Sequence, residues 1–196
     1  FVATPFRKPK EDTSGAFPLV LNTGRIRDQW HTMTRTGKSA RLMMHIAEPF
    51  IEIHPTDARK AGITPASLVR VSSDRGEVIL RALVSEKQQQ GTVFAPMHWN
   101  DTNANLARVD ALIAPNPDPV SGQPELKFTA VEAKPFLAAW YGFAVTALRP
   151  EKQNVGYWAE ARAESGFRLE LASEQPVENW THFAEGLLQS SELMAY

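Results

Sequence analysis

Short apolar or alternating segments, each bounded by Gly, Pro, Asp or Ser, restrict the fold of this chain more than any other feature. Segments of this length with period two and many Val, Ile and Leu residues are typical of β-strands. Six of them lie between residues 18 and 136: PLVLNT, PFIEIHP, SLVRVSS, EVILRALVSE, GTVFAPM and FTAVEAKPF. Asp74, Arg75 and Gly76 form a hairpin-turn signal between the third and the fourth. Because only small helices separate the strands, we predict a mainly β fold with short helices (α+β), as a closed barrel or a sandwich.

Two short helices are predicted between these strands. SARLMMHIA, residues 39–47, has apolar residues at helical spacing. In HPTDARKAGI, Thr56 is predicted to be the N-cap, with Asp57 in the first turn and Gly62 as the residue that stops the helix.

The pattern changes after residue 136. AWYGFAVTAL and FRLELA predict strands, YWAEARAE predicts either a short helix or an amphipathic strand, and VENWTHFAEGLL predicts a terminal helix capped by Asn179. We therefore predict three parts. Residues 1–17 are a polar linker from a missing N-terminal part, residues 18–136 are the barrel, and residues 137–196 are a small C-terminal α/β extension that packs on it.

The composition argues against several kinds of site and partner. The sequence contains no Cys, which excludes disulfides and thiolate ligation of metals or iron–sulfur clusters by these residues. This composition is compatible with a reducing compartment, and we predict a cytoplasmic location. The net charge of −1 lacks the basic excess of nucleic-acid-binding proteins. No run of eighteen apolar residues is present, so we predict no membrane contact.

The chain offers no self-contained catalytic constellation. TRTGKS resembles the end of a phosphate-binding Walker loop, but Thr32 stands where that motif requires its first Gly. There is no Gly-x-Ser-x-Gly elbow and no His-Glu-x-x-His metal motif, and His45, His54 and His182 are scattered. We predict no catalytic residue and no metal ligand in this chain.

The segment NTGRIRDQWHTMTRTGKSARL, residues 22–42, is called the basic loop below. Its cations are Arg25, Arg27, Arg35, Lys38 and Arg41. Gly24 allows close approach of a ligand, arginine forks bind phosphate bidentately, and Trp30 offers a flat face to a base or pterin ring. The residue types alone leave two interpretations open: a solvated basic loop, or a site for a phosphate-bearing ligand.

The order of the motifs adds a family resemblance. LNTGRIRDQWHTMTRTGKSARL resembles the opening motif of the molybdopterin-dinucleotide-binding domain of bis-pterin molybdenum oxidoreductases, which include nitrate reductases, formate dehydrogenases and dimethyl-sulfoxide reductases. EPFIEIHPTDARKAGI, SLVRVSSDRGEVILRALVS, GTVFAPMHWNDTNANLARVDAL and DPVSGQPELKFTAV resemble the motifs that follow it in the family. The resemblance covers about residues 18–136.

The resemblance implies a six-stranded double-psi β-barrel that binds part of a molybdopterin guanine dinucleotide. The opening motif would wrap the pyrophosphate and guanosine, and the loop after Pro96 would approach the cofactor and the substrate funnel. The implied cofactor contacts are Thr23, Gly24, Arg25, Trp30, His31, Thr32, Met97, His98, Asn105 and Lys127.

Residues 137–196 resemble the extension of bacterial assimilatory nitrate reductases, so the implied parent enzyme reduces nitrate to nitrite. Its bis-molybdopterin guanine dinucleotide carries molybdenum, and a 4Fe-4S cluster belongs to the missing part. The implied partners of this domain are the N-terminal domains of the same polypeptide, and the fragment alone is expected to be inactive. Two alternatives stay open: the same domain of a formate dehydrogenase or another oxidoreductase, or a stand-alone barrel that binds other molecules.

Overall fold

The computed structural model describes residues 3, 5–151 and 154–188, and its main element is a closed β-barrel. The barrel strands are β1 (Leu19–Gly24), β2 (Phe50–Ile53), β3 (Leu68–Ser72), β4 (Glu77–Val84), β5 (Thr92–Pro96) and β6 (Thr129–Pro135). Their order is β1-β5-β2-β4-β3-β6, and β6 pairs with β1 to close the barrel. Each strand coincides with a segment that the sequence predicts to be a strand, and β1 extends one residue beyond its segment, to Gly24. The predicted mainly β fold is confirmed, as a barrel rather than a sandwich.

Alternate residues of the barrel strands fill the interior. In β1, Leu19, Leu21 and Thr23 are buried whereas Asn22 is exposed, which is the period of two expected for a strand with one face in the core. Burying one such aliphatic side chain stabilises the fold by about 1.5–3 kcal/mol. The barrel core includes Leu21, Ile51, Ile53, Val69, Val71, Leu80, Val93, Leu112 and Val131.

β3 and β4 form the predicted hairpin. The backbone N–H of Ser73 donates to the carbonyl oxygen of Gly76 at 3.0 Å, across the predicted turn. A Cβ at position 76 would lie 2.9 Å from the carbonyl oxygen of Ala111, so glycine lets this turn pack against the 3-10 helix Val109–Leu112.

Two pairs of parallel neighbours decide where the loops leave the barrel. β1 pairs with β5 and β2 pairs with β4, and Gly24 stands opposite Pro96 in the first pair. Parallel neighbours end at the same edge of a sheet. The residues after Gly24 therefore leave the barrel next to the residues after Pro96.

The helices are short. The two α-helices between the barrel strands are α1 (Ala40–Met43) and α2 (Pro55–Ala61). α1 covers only part of the helix predicted over residues 39–47. His54 is the N-cap of α2, because its Nδ1 accepts from the backbone N–H of Thr56 at 3.1 Å. The prediction of Thr56 as the cap is wrong, since Pro55 suits the first helical position and starts the helix earlier. Gly62 ends α2 in the left-handed conformation (φ 71°), as predicted.

A second, three-stranded sheet follows the barrel. Its elements are β7 (Trp140–Thr146), β8 (Tyr157–Ala163) and β9 (Gly166–Ser173), followed by α3 (Trp180–Leu188). The strands are antiparallel in the order β7-β9-β8, so YWAEARAE is a strand. Asn179 Oδ1 accepts from the backbone N–H of His182 at 3.0 Å, which confirms the predicted cap of α3. The small α/β extension predicted from the sequence is confirmed. No helix in the described ranges is long and apolar enough to cross a membrane.

A carboxylate joins the second sheet to the barrel. The hydroxyl of Tyr157 donates to Oε2 of Glu48 at 2.8 Å, and Arg81 Nη2 pairs with the same oxygen at 2.6 Å. Burial raises the pKa of Tyr157 well above its usual range, and the charge of Glu48 shifts it in the same direction. The phenol therefore stays protonated and acts as a donor that links β8 to the barrel.

Candidate functional site

The basic loop starts where β1 is held against residues 126–127. The N–H and the hydroxyl of Thr23 both donate to the carbonyl oxygen of Leu126, at 3.2 and 2.8 Å. Lys127 Nζ donates to the carbonyl oxygen of Thr23. The structure thus brings two predicted site residues, Thr23 and Lys127, into contact, and the donors of Thr23 are used within the protein.

Gly24 lies in a space that neighbouring side chains occupy. A Cβ at this position would lie 2.8 Å from Cε2 of Phe94 and 3.7 Å from Nζ of Lys127. The carbonyl oxygen of Gly24 accepts from the backbone N–H of Met97 at 3.0 Å. Close approach of a ligand is the expectation from sequence, and the structure shows a phenyl ring and an ammonium group approaching Gly24.

The basic loop has a small interior of its own. Gln29 and Thr36 are buried, and the Thr36 hydroxyl donates to Oε1 of Gln29. Met33 is also buried and has a left-handed backbone (φ 62°), which costs a residue with a Cβ about 1–2 kcal/mol. These buried contacts hold the loop in one shape. Sequence reasoning missed them because nothing distinguishes Gln29 and Thr36 from the exposed polar residues around them.

Trp30 forms the outer face of the basic loop. The residue is 42% exposed. The guanidinium carbons of Arg35 and Arg25 lie 4.9 and 5.9 Å from the ring centroid, and His31 contacts the ring edge-to-face at 4.8 Å. Cation–π contacts of this kind contribute about 0.5–1 kcal/mol at exposed sites. Arg35 is absent from the predicted contacts, although a cation five residues after Trp30 in a basic segment is a usable signal.

A carboxylate neutralises part of the loop's charge. Asp28 pairs with Arg27 at 2.9 Å and with Nδ1 of His45 at 2.8 Å. The hydrogen bond from Arg27, followed by the one from His45, lowers the pKa of Asp28 to about 2. In the described part of the chain, no carboxylate pairs with the other loop cations, Arg25, Arg35, Lys38 and Arg41. The loop therefore keeps a positive field for an anion.

His98 is fully buried beside the basic loop, with both ring nitrogens bonded to backbone. The N–H of Ile26 donates to Nε2 at 3.0 Å, and Nδ1 lies 2.6 Å from the carbonyl oxygen of His31. Because an amide N–H can only donate and a carbonyl can only accept, the ring is neutral with its proton on Nδ1. Burial lowers the pKa of His98, and the charge of Arg25 acts in the same direction.

We expect His98 to make folding stability depend on pH. Its pKa is lower in the folded state than the usual 6.5, so below that pH the unfolded chain binds a proton more readily. The free energy of unfolding should therefore be highest above pH 6.5 and should fall as the pH is lowered below that value. Denaturant titration at about pH 7.5 and about pH 5.5 measures the drop in the free energy of unfolding between the two. This drop should be smaller for His98→Gln than for the wild type. Equal losses would contradict this expectation.

Asn105 is connected to the second sheet. Its Nδ2 donates to the carbonyl oxygens of Val155 and Gly156, both at 3.1 Å, and its Oδ1 accepts from the N–H of Trp158 at 2.6 Å. Both amide hydrogens are therefore used within the protein. A cofactor contact by Asn105 stays a prediction, and the structure adds a role in which this side chain joins the segment after the barrel strands to β8.

The predicted site residues form two neighbouring groups with one outlier. One group lies at the ends of β1 and β5, where Met97 is partly exposed beside His98. The exposed group on the basic loop comprises Arg25, Trp30, His31 and Thr32. Asn105 is the outlier, because the hydrogen bonds of its side chain lead to the second sheet and the residues before it.

Two grooves lie near the barrel ends. One of about 520 Å³ runs beside Lys127, between residues 5–10 and residues 116–128. A larger one of about 790 Å³ lies near Leu19 and Gly91 at the other end of β1 and β5 and contains none of the predicted site residues. The smaller groove is thus the better candidate to continue the site. Among the residues described, no group of three His, Asp or Glu side chains could hold a metal ion.

Comparison with known proteins identifies a family. The sequence model described as "Molydopterin dinucleotide binding domain" matches residues 19–130. A protein named "Nitrate reductase" from Klebsiella oxytoca is 41% identical over 174 residues, which are 88% of this chain and 20% of that protein. The "F420-dependent formate dehydrogenase 1 subunit alpha" of Methanococcus maripaludis is 39% identical over 132 residues, 67% of this chain and 19% of that protein.

Two further matches extend the comparison. The "Assimilatory nitrate reductase catalytic subunit" of Bacillus subtilis is 38% identical over 127 residues, 65% of this chain and 17% of that protein. Among solved structures, acetylene hydratase from Pelobacter acetylenicus matches with a TM-score of 0.51 and 18% identity, over 60% of this chain and 18% of that one. That likeness shows the fold alone. The chain spans about a fifth of the length of the curated relatives it matches.

Proposed function

Because this chain belongs to the molydopterin dinucleotide binding domain family, we propose that its basic loop holds the pyrophosphate and guanosine part of molybdopterin guanine dinucleotide. The family membership inferred from the ordered motifs is thereby confirmed. The observation that carries the proposal is the pair of guanidinium groups at the exposed ring of Trp30. Guanidinium forks bind phosphate oxygens bidentately, and an indole face suits a purine.

The residues present fit such a cofactor. Arg25 and Arg35 would bind phosphate oxygens, because no carboxylate among the described residues pairs with either. Trp30 would contact the base, and the exposed Thr32 hydroxyl would add a neutral donor. Lys127 would contribute charge at the end of β1. When bound, the bis-pterin molybdenum cofactor supplies the oxidation–reduction chemistry, and these residues hold and orient it.

Nucleotide binding by the isolated chain tests this proposal. In calorimetric titration with GDP, we expect Arg25→Ala and Arg35→Ala each to weaken binding about tenfold or more, since a charge-assisted hydrogen bond contributes about 1.5–3 kcal/mol. Arg59→Ala is the matched control, because it removes the same charge from exposed α2 and should leave the affinity unchanged.

Two outcomes would count against the proposal. One is no binding of GDP to the folded chain at about 1 mM, a dissociation constant that corresponds to a binding free energy of about −4 kcal/mol. The other is an equal loss of affinity in the Arg25, Arg35 and Arg59 variants, which would indicate a general effect of net charge.

For the parent protein we propose assimilatory reduction of nitrate to nitrite. The match to the Klebsiella oxytoca nitrate reductase covers 88% of the chain, so it must include most of the second sheet. The match to the formate dehydrogenase covers 67%, which is too short for both the whole barrel and the second sheet. The Klebsiella oxytoca match therefore favours nitrate, although the match to the Bacillus subtilis assimilatory nitrate reductase is as short as the match to the formate dehydrogenase. Steady-state kinetics of the full-length protein on both substrates test this choice, and a preference for formate would reject it.

The remaining parts of the proposal concern organisation. Residues 1–17 form the linker, residues 18–136 the dinucleotide-binding barrel, and residues 137–196 an extension that packs on it. N-terminal domains of the same polypeptide would complete the cofactor pocket and carry the 4Fe-4S cluster, in a cytoplasmic enzyme. The isolated chain is then inactive. Nitrate reduction by the isolated chain with a reduced viologen donor would refute the proposal that activity requires the N-terminal domains.

A further inference from the structure

We infer that His98 is a positioning residue: it sets the conformation of the segment of the basic loop that carries Trp30, from Ile26 to His31. It does so through backbone hydrogen bonds at both ends of that segment. The inference rests on the proposed function only for the identity of the ligand.

The imidazole is itself held in place. His98 follows the end of β5 by two residues, and the preceding residue, Met97, donates its backbone N–H to the carbonyl oxygen of Gly24. The side chain of His98 is fully buried. A buried ring on a segment bonded to β1 is a rigid support, whereas the loop residues that contact it are partly or fully exposed.

The segment that His98 supports contains an unfavourable backbone conformation. His31 has φ 42°, in the left-handed region that residues with a Cβ avoid. Its carbonyl oxygen points to Nδ1 of His98. Because Trp30 directly precedes this residue, the direction of the His31 carbonyl and the placement of the indole ring are coupled. Loss of the hydrogen bond between His98 and the His31 carbonyl would release the strained peptide of His31. The indole ring of Trp30, which Arg25 and Arg35 contact, would be released with it.

Two near-isosteric substitutions separate the two bonds of the ring. Asn can place an amide N–H near Nδ1, so His98→Asn keeps the bond to His31 and loses the acceptor for Ile26. Gln can place an oxygen near Nε2, so His98→Gln keeps the acceptor for Ile26 and loses the bond to His31. His98→Ala loses both. If His98 only filled space, the Asn and Gln variants would not differ in which of the two bonds they lose.

Amide hydrogen exchange of the chain provides the first readout. We expect Ile26 to exchange about tenfold faster in His98→Asn and His98→Ala, and less than about threefold faster in His98→Gln, since tenfold corresponds to about 1.4 kcal/mol, which is within the range of one hydrogen bond. Limited trypsin digestion is the second readout, because cleavage after Arg25, Arg27 and Arg35 reports opening of the loop. GDP affinity should fall about tenfold in His98→Ala and less in the single-bond variants.

Ile53→Val is the control, since it trims a fully buried barrel residue and lowers stability without touching the loop. Equal acceleration of loop cleavage in this control, or unchanged Ile26 exchange in His98→Ala, would overturn the inference. So would a nitrogen NMR spectrum of the wild type showing the proton of His98 on Nε2, a readout that needs no variant to fold. If the wild type does not bind GDP but exchange follows the expected pattern, the proposed ligand fails and the positioning role stands.

Discussion

Gly166→Ala should destabilise the second sheet by about 3 kcal/mol. Gly166 starts β9 after a tight turn from β8 and has φ 147°, a conformation that residues with a Cβ rarely adopt. A Cβ there would overlap the backbone carbonyl oxygen of Thr146 and lie 3.0 Å from Cα of Ala147. Because both obstacles belong to the backbone, no side-chain rotation relieves them. The free energy of unfolding by urea measures the effect.

The matched control for this prediction lies in the same extension. Gly186 is inside α3, and a Cβ added there meets nothing within 4 Å among the described residues. Gly186→Ala should raise stability by about 0.5–1 kcal/mol, because alanine is the better helix former. If the free energy of unfolding changed by a similar amount and with the same sign in Gly166→Ala and Gly186→Ala, the turn between β8 and β9 would tolerate a side chain.

Asn105→Asp should destabilise the chain by about 2–3 kcal/mol near neutral pH. The carboxylate would keep an acceptor for the N–H of Trp158, but its second oxygen would face the carbonyl oxygens of Val155 and Gly156. Two carbonyl groups would lose their donor and gain a negative charge beside them. The loss would be measured by urea unfolding, and the GDP affinity of the folded fraction would be measured beside it.

Asn179→Asp serves as the control for the same chemical change. Among the described residues, the side chain of Asn179 bonds through its Oδ1 alone, as the cap of α3, and aspartate caps helices as well as asparagine does. Its stability should change by less than about 0.5 kcal/mol. If Asn105→Asp is equally mild while GDP binding collapses, then Asn105 acts at the ligand and not as the link to the second sheet.

The sequence predicted elements well where the signal was local. Alternation in β1, β3 and β4, the turn that ends at Gly76 and the stop at Gly62 depend on neighbouring residues, and each prediction is confirmed. The Thr56 cap failed for a local reason, because Pro55 takes the first helical position and places the cap at His54, two residues earlier. The strand order could not be derived, since parallel pairing of β1 with β5 depends on residues far apart in the chain.

The sequence predicted which types of residue form the candidate site, but it predicted less well what each of these residues does. Basic and aromatic residues identified the loop, and the structure brings Arg25 and Trp30 together on its surface. The roles of His98 and Asn105 depend on partners that sequence spacing does not reveal, such as the carbonyl of His31 or the segment before β8. Buried polar side chains are assigned by the contacts that satisfy them, and those contacts exist only once the fold is known.

The closure of the barrel has a consequence for the order of events during synthesis. Among the described strands, β1 pairs with β5 and β6, and both are made after β1 and the basic loop have left the ribosome. Such distant pairings form slowly, because the chain between them must be ordered first. His98, Leu126 and Lys127 also lie in these late segments. The nascent loop therefore lacks its supports until translation has passed β6, so a nucleotide-bearing ligand can be captured only after the barrel is complete.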